Sequence, residues 1–321
     1  MLTKLTRTAV ALVVAAGLAG AAIAQQKTMS IGTGGTGGVY YPLGGAVANV
    51  LSKNLPNVQA TAEVTGGSVD NLKLIASGQS EMGFTMADAA LDALQGRDKF
   101  KSGKVPLQTL LVVYPNRMHV VTVEGTGIEK MSDLKGKRVS TGSPGGATEV
   151  MAFRVIEAAG LDKDKDMKRE RLGVAESVNA IKDRKIDAFF WVGGIPTAAV
   201  TDLAATPGLK MKLVDHGDVV EKMNAKYGPL YTASKIKAGA YPGTDKDNSI
   251  AEVWNIIVTG DKMSNDDAYA IVKTLVEKKA DIVAVHKEAE SFSLDNQIQA
   301  RSPIPFHPGA LKYFKEKGIG G

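Results

Sequence analysis

Apolar and polar positions along the chain change period many times, and the changes come in a repeating order. Val58, Ala60, Ala62 and Val64 alternate with more polar residues, the two-residue period of a strand. Val39, Leu43, Val47, Val50 and Leu51 recur at three- and four-residue spacing, the period of a helix, with Pro42 suited to its first turn. Strands are expected at Met29–Ile31, Glu81–Met86, Leu107–Val113, Met118–Val123, Arg138–Thr141, Ile186–Val192, Leu209–Val214 and Val253–Thr259. Helices are expected after Ser68, after Asp88, over Ala147–Ala159, around Val178 and Ile181, after Pro196, from Ser264 to about Val285, and over Ala310–Lys317. Ser68 and Asp88 read as N-caps, and Gly78 and Gly160 as stops. Strands alternating with helices predict parallel-sheet α/β lobes.

Two strand-to-helix joints are rich in glycine. The first runs Ile31-Gly32-Thr33-Gly34-Gly35-Thr36-Gly37-Gly38-Val39-Tyr40-Tyr41-Pro42, the second Val139-Ser140-Thr141-Gly142-Ser143-Pro144-Gly145-Gly146-Ala147-Thr148-Glu149. Glycine lets a backbone approach a ligand closely, and a helix N-terminus behind it presents free N–H groups and partial positive charge. Each turn is therefore a candidate cradle for an anion such as a carboxylate, and two of them suggest two lobes gripping one small ligand. The stretch Asp162–Arg171 reads as a charged hairpin, and Tyr241–Asn248 as a linker. With the tail returning to the first lobe, the chain crosses between lobes near residues 114–125 and 240–252. The expected division is lobe I at 25–122 plus 250–321 and lobe II at 123–249.

Composition narrows the chemistry. Lys4 and Arg7, the apolar stretch Ala9–Ala22 and the site Ala22-Ile23-Ala24 form an export signal at residues 1–24 that places the mature chain in the periplasm. No other apolar run approaches a membrane span. The 321 residues contain no cysteine, which excludes disulfides, thiol catalysis and thiolate-held metals. The net charge of +5 is spread over lysine-rich helix faces, a pattern that argues against nucleic acid.

The enzyme motifs are incomplete. No lysine follows the first glycine turn, so it is not a Walker A loop. Gly32, Gly34 and Gly37 fit G-x-G-x-x-G, but only Glu63 could serve the ribose, which argues against a nucleotide cofactor. Ser143 lacks the preceding glycine of a nucleophile elbow, Thr141 standing there, and Pro144 removes an oxyanion-hole N–H. His119, His216, His286 and His307 have no triad or metal spacing, so each reads as surface or structural. No enzyme activity, cofactor or metal is expected. Ser68, Asn71, Met86, Asp88 and Trp191 stand where strands end, and Arg117 is a possible further clamp on an acid.

These motifs together resemble the TAXI family of extracytoplasmic solute-binding subunits, which serve TRAP-type secondary transporters. The resemblance rests on Gly32–Pro42, Gly67-Ser68-Val69-Asp70-Asn71-Leu72, Gly136-Lys137-Arg138-Val139-Ser140, Gly142-Ser143-Pro144-Gly145, Phe189-Phe190-Trp191-Val192-Gly193-Gly194 and His307-Pro308-Gly309-Ala310. It implies a two-lobed α/β periplasmic-binding-protein fold of type II, hinged at two crossovers, that captures a small carboxylate and delivers it to a TRAP membrane permease. Glutamate-like amino acids and dicarboxylates such as 2-oxoglutarate are the implied solutes. The implied contacts are Thr33, Thr36, Gly37, Tyr40, Ser68 and Asn71 from lobe I, and Ser143, Gly146, Ala147, Thr148 and Trp191 from lobe II. Gly146-Ala147 departs from the small hydroxyl residue expected after Gly145. A sensor subunit and an exported enzyme acting on a phosphate-bearing substrate are the rival readings.

Overall fold

The computed structural model describes residues 26–319, so the export signal expected at 1–24 lies outside them. Ten strands join in one mixed sheet. In chain order they are β1 (Lys27–Gly32), β2 (Val58–Glu63), β3 (Met82–Met86), β4 (Leu107–Val123), β5 (Arg138–Ser140), β6 (Lys168–Glu170), β7 (Ala188–Gly193), β8 (Met211–Leu213), β9 (Thr232–Ile236) and β10 (Asn248–Gly260). The sheet runs β2-β1-β3-β10-β4-β7-β5-β6, with β8 on β4 and β9 on β10. Pairing is parallel among β1, β2 and β3, and again among β5, β6 and β7. The long strands β4 and β10 pair antiparallel to each other between these two sets.

Both long strands serve two halves of the molecule. β4 pairs with β10 from Leu107 to Arg117, then with β7 from Arg117 and with β8 from Val121. β10 pairs with β9 over Asn248–Glu252, then with β3 over Asn255–Thr259. The β4–β10 register shifts between Trp254 and Ile256, opposite Pro115. Proline has no N–H to give the ladder, so a bulge belongs there. The expected strands Leu107–Val113 and Met118–Val123 are thus one 17-residue strand continuing through Pro115.

The helices are α1 (Tyr40–Asn54), α2 (Ser68–Ser77), α3 (Ala87–Gln95), α4 (Ala147–Ala158), α5 (Val174–Lys182), α6 (Ala198–Ala204), α7 (Val220–Tyr227), α8 (Asn265–Glu277), α9 (Lys279–Val283) and α10 (Pro308–Glu316). β1–β3, α1–α3 and α8–α10 make the first half; β5–β9 and α4–α7 make the second. The tail returns to the first half through a bridge between Thr109 and Phe306. One apolar core runs through both halves, and a second lies under β7, α5 and α6 around Phe189, Val178 and Val200.

Five local expectations change. Ser68 is the first residue of α2 rather than its N-cap, which is Gly67, and makes no capping hydrogen bond. The Asp162–Arg171 segment is no hairpin, because β6 lies parallel to β5. The Tyr241–Asn248 segment closes antiparallel β9 onto β10, and Tyr241 is buried with its hydroxyl at 2.9 Å from His119 Nε2. The helix expected to reach Val285 breaks at Lys278. Asp88 sits inside α3 rather than capping it, since Met86 flanks the helix and Asp88 turns into a buried ion pair with Arg154.

Candidate functional site

A cavity of about 300 Å³ lies between the two halves, at the carboxyl ends of the parallel strands. Four helices begin on its wall. Gly38, Val39 and Tyr40 bring in the start of α1, and Gly67 and Ser68 that of α2; Gly146, Ala147 and Thr148 bring in α4, and Gly173, Val174 and Ala175 bring in α5. Each N-terminus carries unpaired backbone N–H groups and about half a unit of positive charge. Two starts come from each half, and no lysine or arginine lines the cavity among the described residues. Among the described residues its one charged lining side chain is Glu176.

Of the expected contacts, Thr36, Gly37, Tyr40, Ser68, Ser143, Gly146, Ala147, Thr148 and Trp191 line this cavity. Thr33 and Asn71 do not: both are fully buried behind the first turn. Thr33 Oγ1 donates to the Glu63 carbonyl. Asn71 Nδ2 donates to the carbonyls of Thr33 (2.7 Å) and Phe84 (2.8 Å). Their hydrogen bonds hold the turn in shape, a role a polar residue at a strand end fills as readily as ligand contact. Arg117 also stands outside the lining, with Nη1 on Glu288 (2.7 Å) and Nε on Glu252 (3.5 Å). Those pairs clamp the strand crossing.

Several lining side chains have already used their polar groups. Ser68 Oγ accepts from the Met86 N–H at 3.1 Å, and Trp191 Nε1 donates to Thr197 Oγ1 at 2.9 Å, which fixes the indole as a wall. The Tyr40 hydroxyl donates to Asn255 Oδ1, and burial pushes its pKa above the ordinary range. Among the described residues the hydroxyls of Thr36 and Thr148 have no hydrogen-bond partner, and both residues line the cavity. Thr65, Tyr114, Asn116 and the segment Leu172–Glu176 line the cavity without having been anticipated. Gly173, three residues past the end of β6, marks the α5 start with one glycine where the other joints have several.

The halves touch across the cavity through the glycine turns. Ser143 Oγ donates to the Gly66 carbonyl at 2.8 Å, and the Asp70 N–H donates to the Gly145 carbonyl at 3.1 Å. The Ala199 N–H reaches the Gly37 carbonyl at 3.3 Å. A methyl on Gly145 would overlap the Asp70 carboxylate, and one on Gly66 would lie 3.0 Å from Gly145 Cα. Gly67, at φ +117°, needs the left-handed region as well. Gly146, where a hydroxyl residue was expected, is held by the same approach: a methyl there would stand 3.0 Å from the Gly66 carbonyl oxygen.

Further from the cavity, Arg154 crosses between the halves. Its guanidinium pairs with Asp88 (3.3 Å) and Asp92 and donates to the Tyr231 hydroxyl at 2.7 Å, with all four residues buried. Burial opposes the charge, but Asp88, Tyr231 and Asp92 together hold the guanidinium above its ordinary pKa.

Two parallel-stranded halves joined by two long strands, with helix starts facing one cleft, define the two-lobed α/β fold of type II periplasmic binding proteins. The chain belongs to the NMT1-like family, matching it over residues 31–318. Solved structures agree on the fold. The alkanesulfonate-binding protein SsuA from Xanthomonas axonopodis pv. citri, bound to MOPS, is 14% identical over 92% of each chain, with a TM-score of 0.50. A putative L-cystine ABC transporter protein from Listeria monocytogenes is 16% identical, covering 83% of this chain and 95% of its own, also at 0.50. A protein from Bordetella bronchiseptica is 15% identical over 90% of this chain and 88% of its own, at 0.51.

Proposed function

We propose that this chain is a periplasmic solute-binding subunit that closes on a small carboxylate and delivers it to a membrane permease of TRAP type. Lobe I is then residues 25–122 with 250–321, lobe II residues 123–249, and residues 1–24 are the export signal. The observation that carries the reading is the cavity itself: about 300 Å³, shared by both halves, with four helix starts and no cationic side chain. Helix-terminal N–H groups with the hydroxyls of Thr36 and Thr148 neutralise a carboxylate without an arginine. A solute that touches both lobes favours the closed arrangement by its differential contacts. Binding without turnover fits best, since no lining residue pairs a nucleophile with a base.

The TRAP assignment is supported by the motif series shared with the TAXI family. An ABC-type importer is the second reading: the Listeria neighbour is described as an ABC transporter, and its likeness to this chain is one of fold. Native mass spectrometry of the protein purified without refolding tests the binding reading. A single small carboxylate bound one-to-one is expected; a bound nucleotide, or conversion of the recovered solute by the protein, overturns it. Uptake by reconstituted permease driven by an ion gradient, and not by ATP, is the result expected for TRAP.

A further inference from the structure

We propose that Glu176 is a specificity-determining residue that receives a cationic group of the solute, so that the cavity selects an acid carrying an ammonium over a dicarboxylate of the same shape. This rests on the solute-binding reading above and narrows it.

Three of the four helices that start at the cavity carry an acid in the first turn: Asp70 on α2, Glu149 on α4 and Glu176 on α5. Two are committed elsewhere. Asp70 Oδ2 accepts from the Gly66 N–H at 3.2 Å and packs on Gly145. Glu149 is buried and bound by Arg171 (2.6 Å), Lys99 (2.8 Å) and Arg169 (3.2 Å). Glu176 alone lines the cavity, and among the described residues its carboxylate has no hydrogen-bond or ion-pair partner. The carboxylate lies over Gly173, where an added methyl would overlap Oε2, and Gly173 is itself on the cavity wall.

The free hydroxyls of the wall can donate or accept, but the Glu176 carboxylate only accepts. The carboxylate of the solute is thus served by the starts of α1, α2 and α4. Near α5 the wall repels a second carboxylate and attracts a donor with positive charge. One anionic and one cationic group on a small skeleton describes an amino acid.

Calorimetric titration with matched amino and 2-oxo acids tests this: L-glutamate with 2-oxoglutarate, L-alanine with pyruvate, and L-leucine with 4-methyl-2-oxopentanoate. In at least one pair the amino acid is expected to bind tighter on the order of tenfold or more. Glu176→Gln, an exposed substitution, should remove most of that preference by weakening the amino acid and leaving the 2-oxo acid unchanged or tighter. A 2-oxo acid that binds the unaltered protein as tightly as its amino partner, or a preference that survives Glu176→Gln, overturns the role of Glu176 and leaves the carboxylate reading intact. Failure of every acid, with another solute class binding, overturns both.

Discussion

The two glycine turns look alike in sequence and anchor their helices differently. Helix α1, behind the first turn, buries only Leu43, Gly44, Ala46, Val47, Ala48, Val50 and Leu51, so it is seated in its own half by apolar packing. Helix α4, behind the second, buries Glu149 and Arg154 among its apolar residues and sends ionic contacts across to Lys99, Asp88 and Asp92. Behind one turn stands a fixed wall. Behind the other is a helix wired to the opposite half.

The largest effect of that difference lies at Arg154. Arg154→Met should cost roughly 3–5 kcal/mol in urea unfolding, because Asp88 is left buried without its cation and Asp92 keeps only the half-exposed Arg97. A cost near zero would mean that α4 is seated like α1.

Acid should weaken the fold next. His119, on β4 where the halves meet, and His216, in the second half, are both fully buried and held by burial at a pKa of about 4, below the ordinary 6.5. The unfolded chain takes up protons first, so their stabilisation is complete above pH 6.5 and is lost as pH falls through 4. The loss is roughly 2–3 kcal/mol for each histidine. Thermal unfolding from pH 7 to pH 4 checks this, and His216→Leu should flatten the profile.

Gly145→Ala sharpens the comparison at the turns themselves. Its methyl meets a short, hydrogen-bonded Asp70, so closure and solute affinity should fall by about 1–3 kcal/mol. Gly103→Ala, outside the cavity and with no atom within 4 Å of the new methyl, should leave calorimetric affinity unchanged. The smallest effect is a gain: Gly45 is an exposed interior position of α1 with open space around it, so Gly45→Ala should raise stability by about 0.5–1 kcal/mol. A chemical-unfolding curve resolves it.

The order of strands and helices was legible in the sequence because helices such as α1 bury one face at helical spacing, β2 alternates, and strands buried on both faces, such as β3 and β7, read as short apolar runs. The glycine turns were legible because few other residues permit such backbone approach. What escaped were directions. Thr33, just past β1, and Asn71, near the start of α2, are the right residue types, but nothing local says whether a hydroxyl or amide turns toward a ligand or back to a carbonyl. Pro115 disguised one long strand as two, and the strand crossing it interrupts is where Arg117 is clamped. The α5 start was missed because a single glycine supports it, and with it Glu176. Arg154 was illegible, since its partners lie on a distant helix.

Closure on a solute is the central claim, and the absence of native cysteine makes it directly measurable. Lys73 on α2 and Asn179 on α5 are exposed on opposite sides of the cavity. Spin labels on Lys73→Cys and Asn179→Cys give the interlobe distance by pulsed electron resonance. Solute-stripped protein should show a longer or broader distribution that collapses to a single shorter distance when the bound carboxylate is restored. A distribution unchanged by saturating solute would contradict the account.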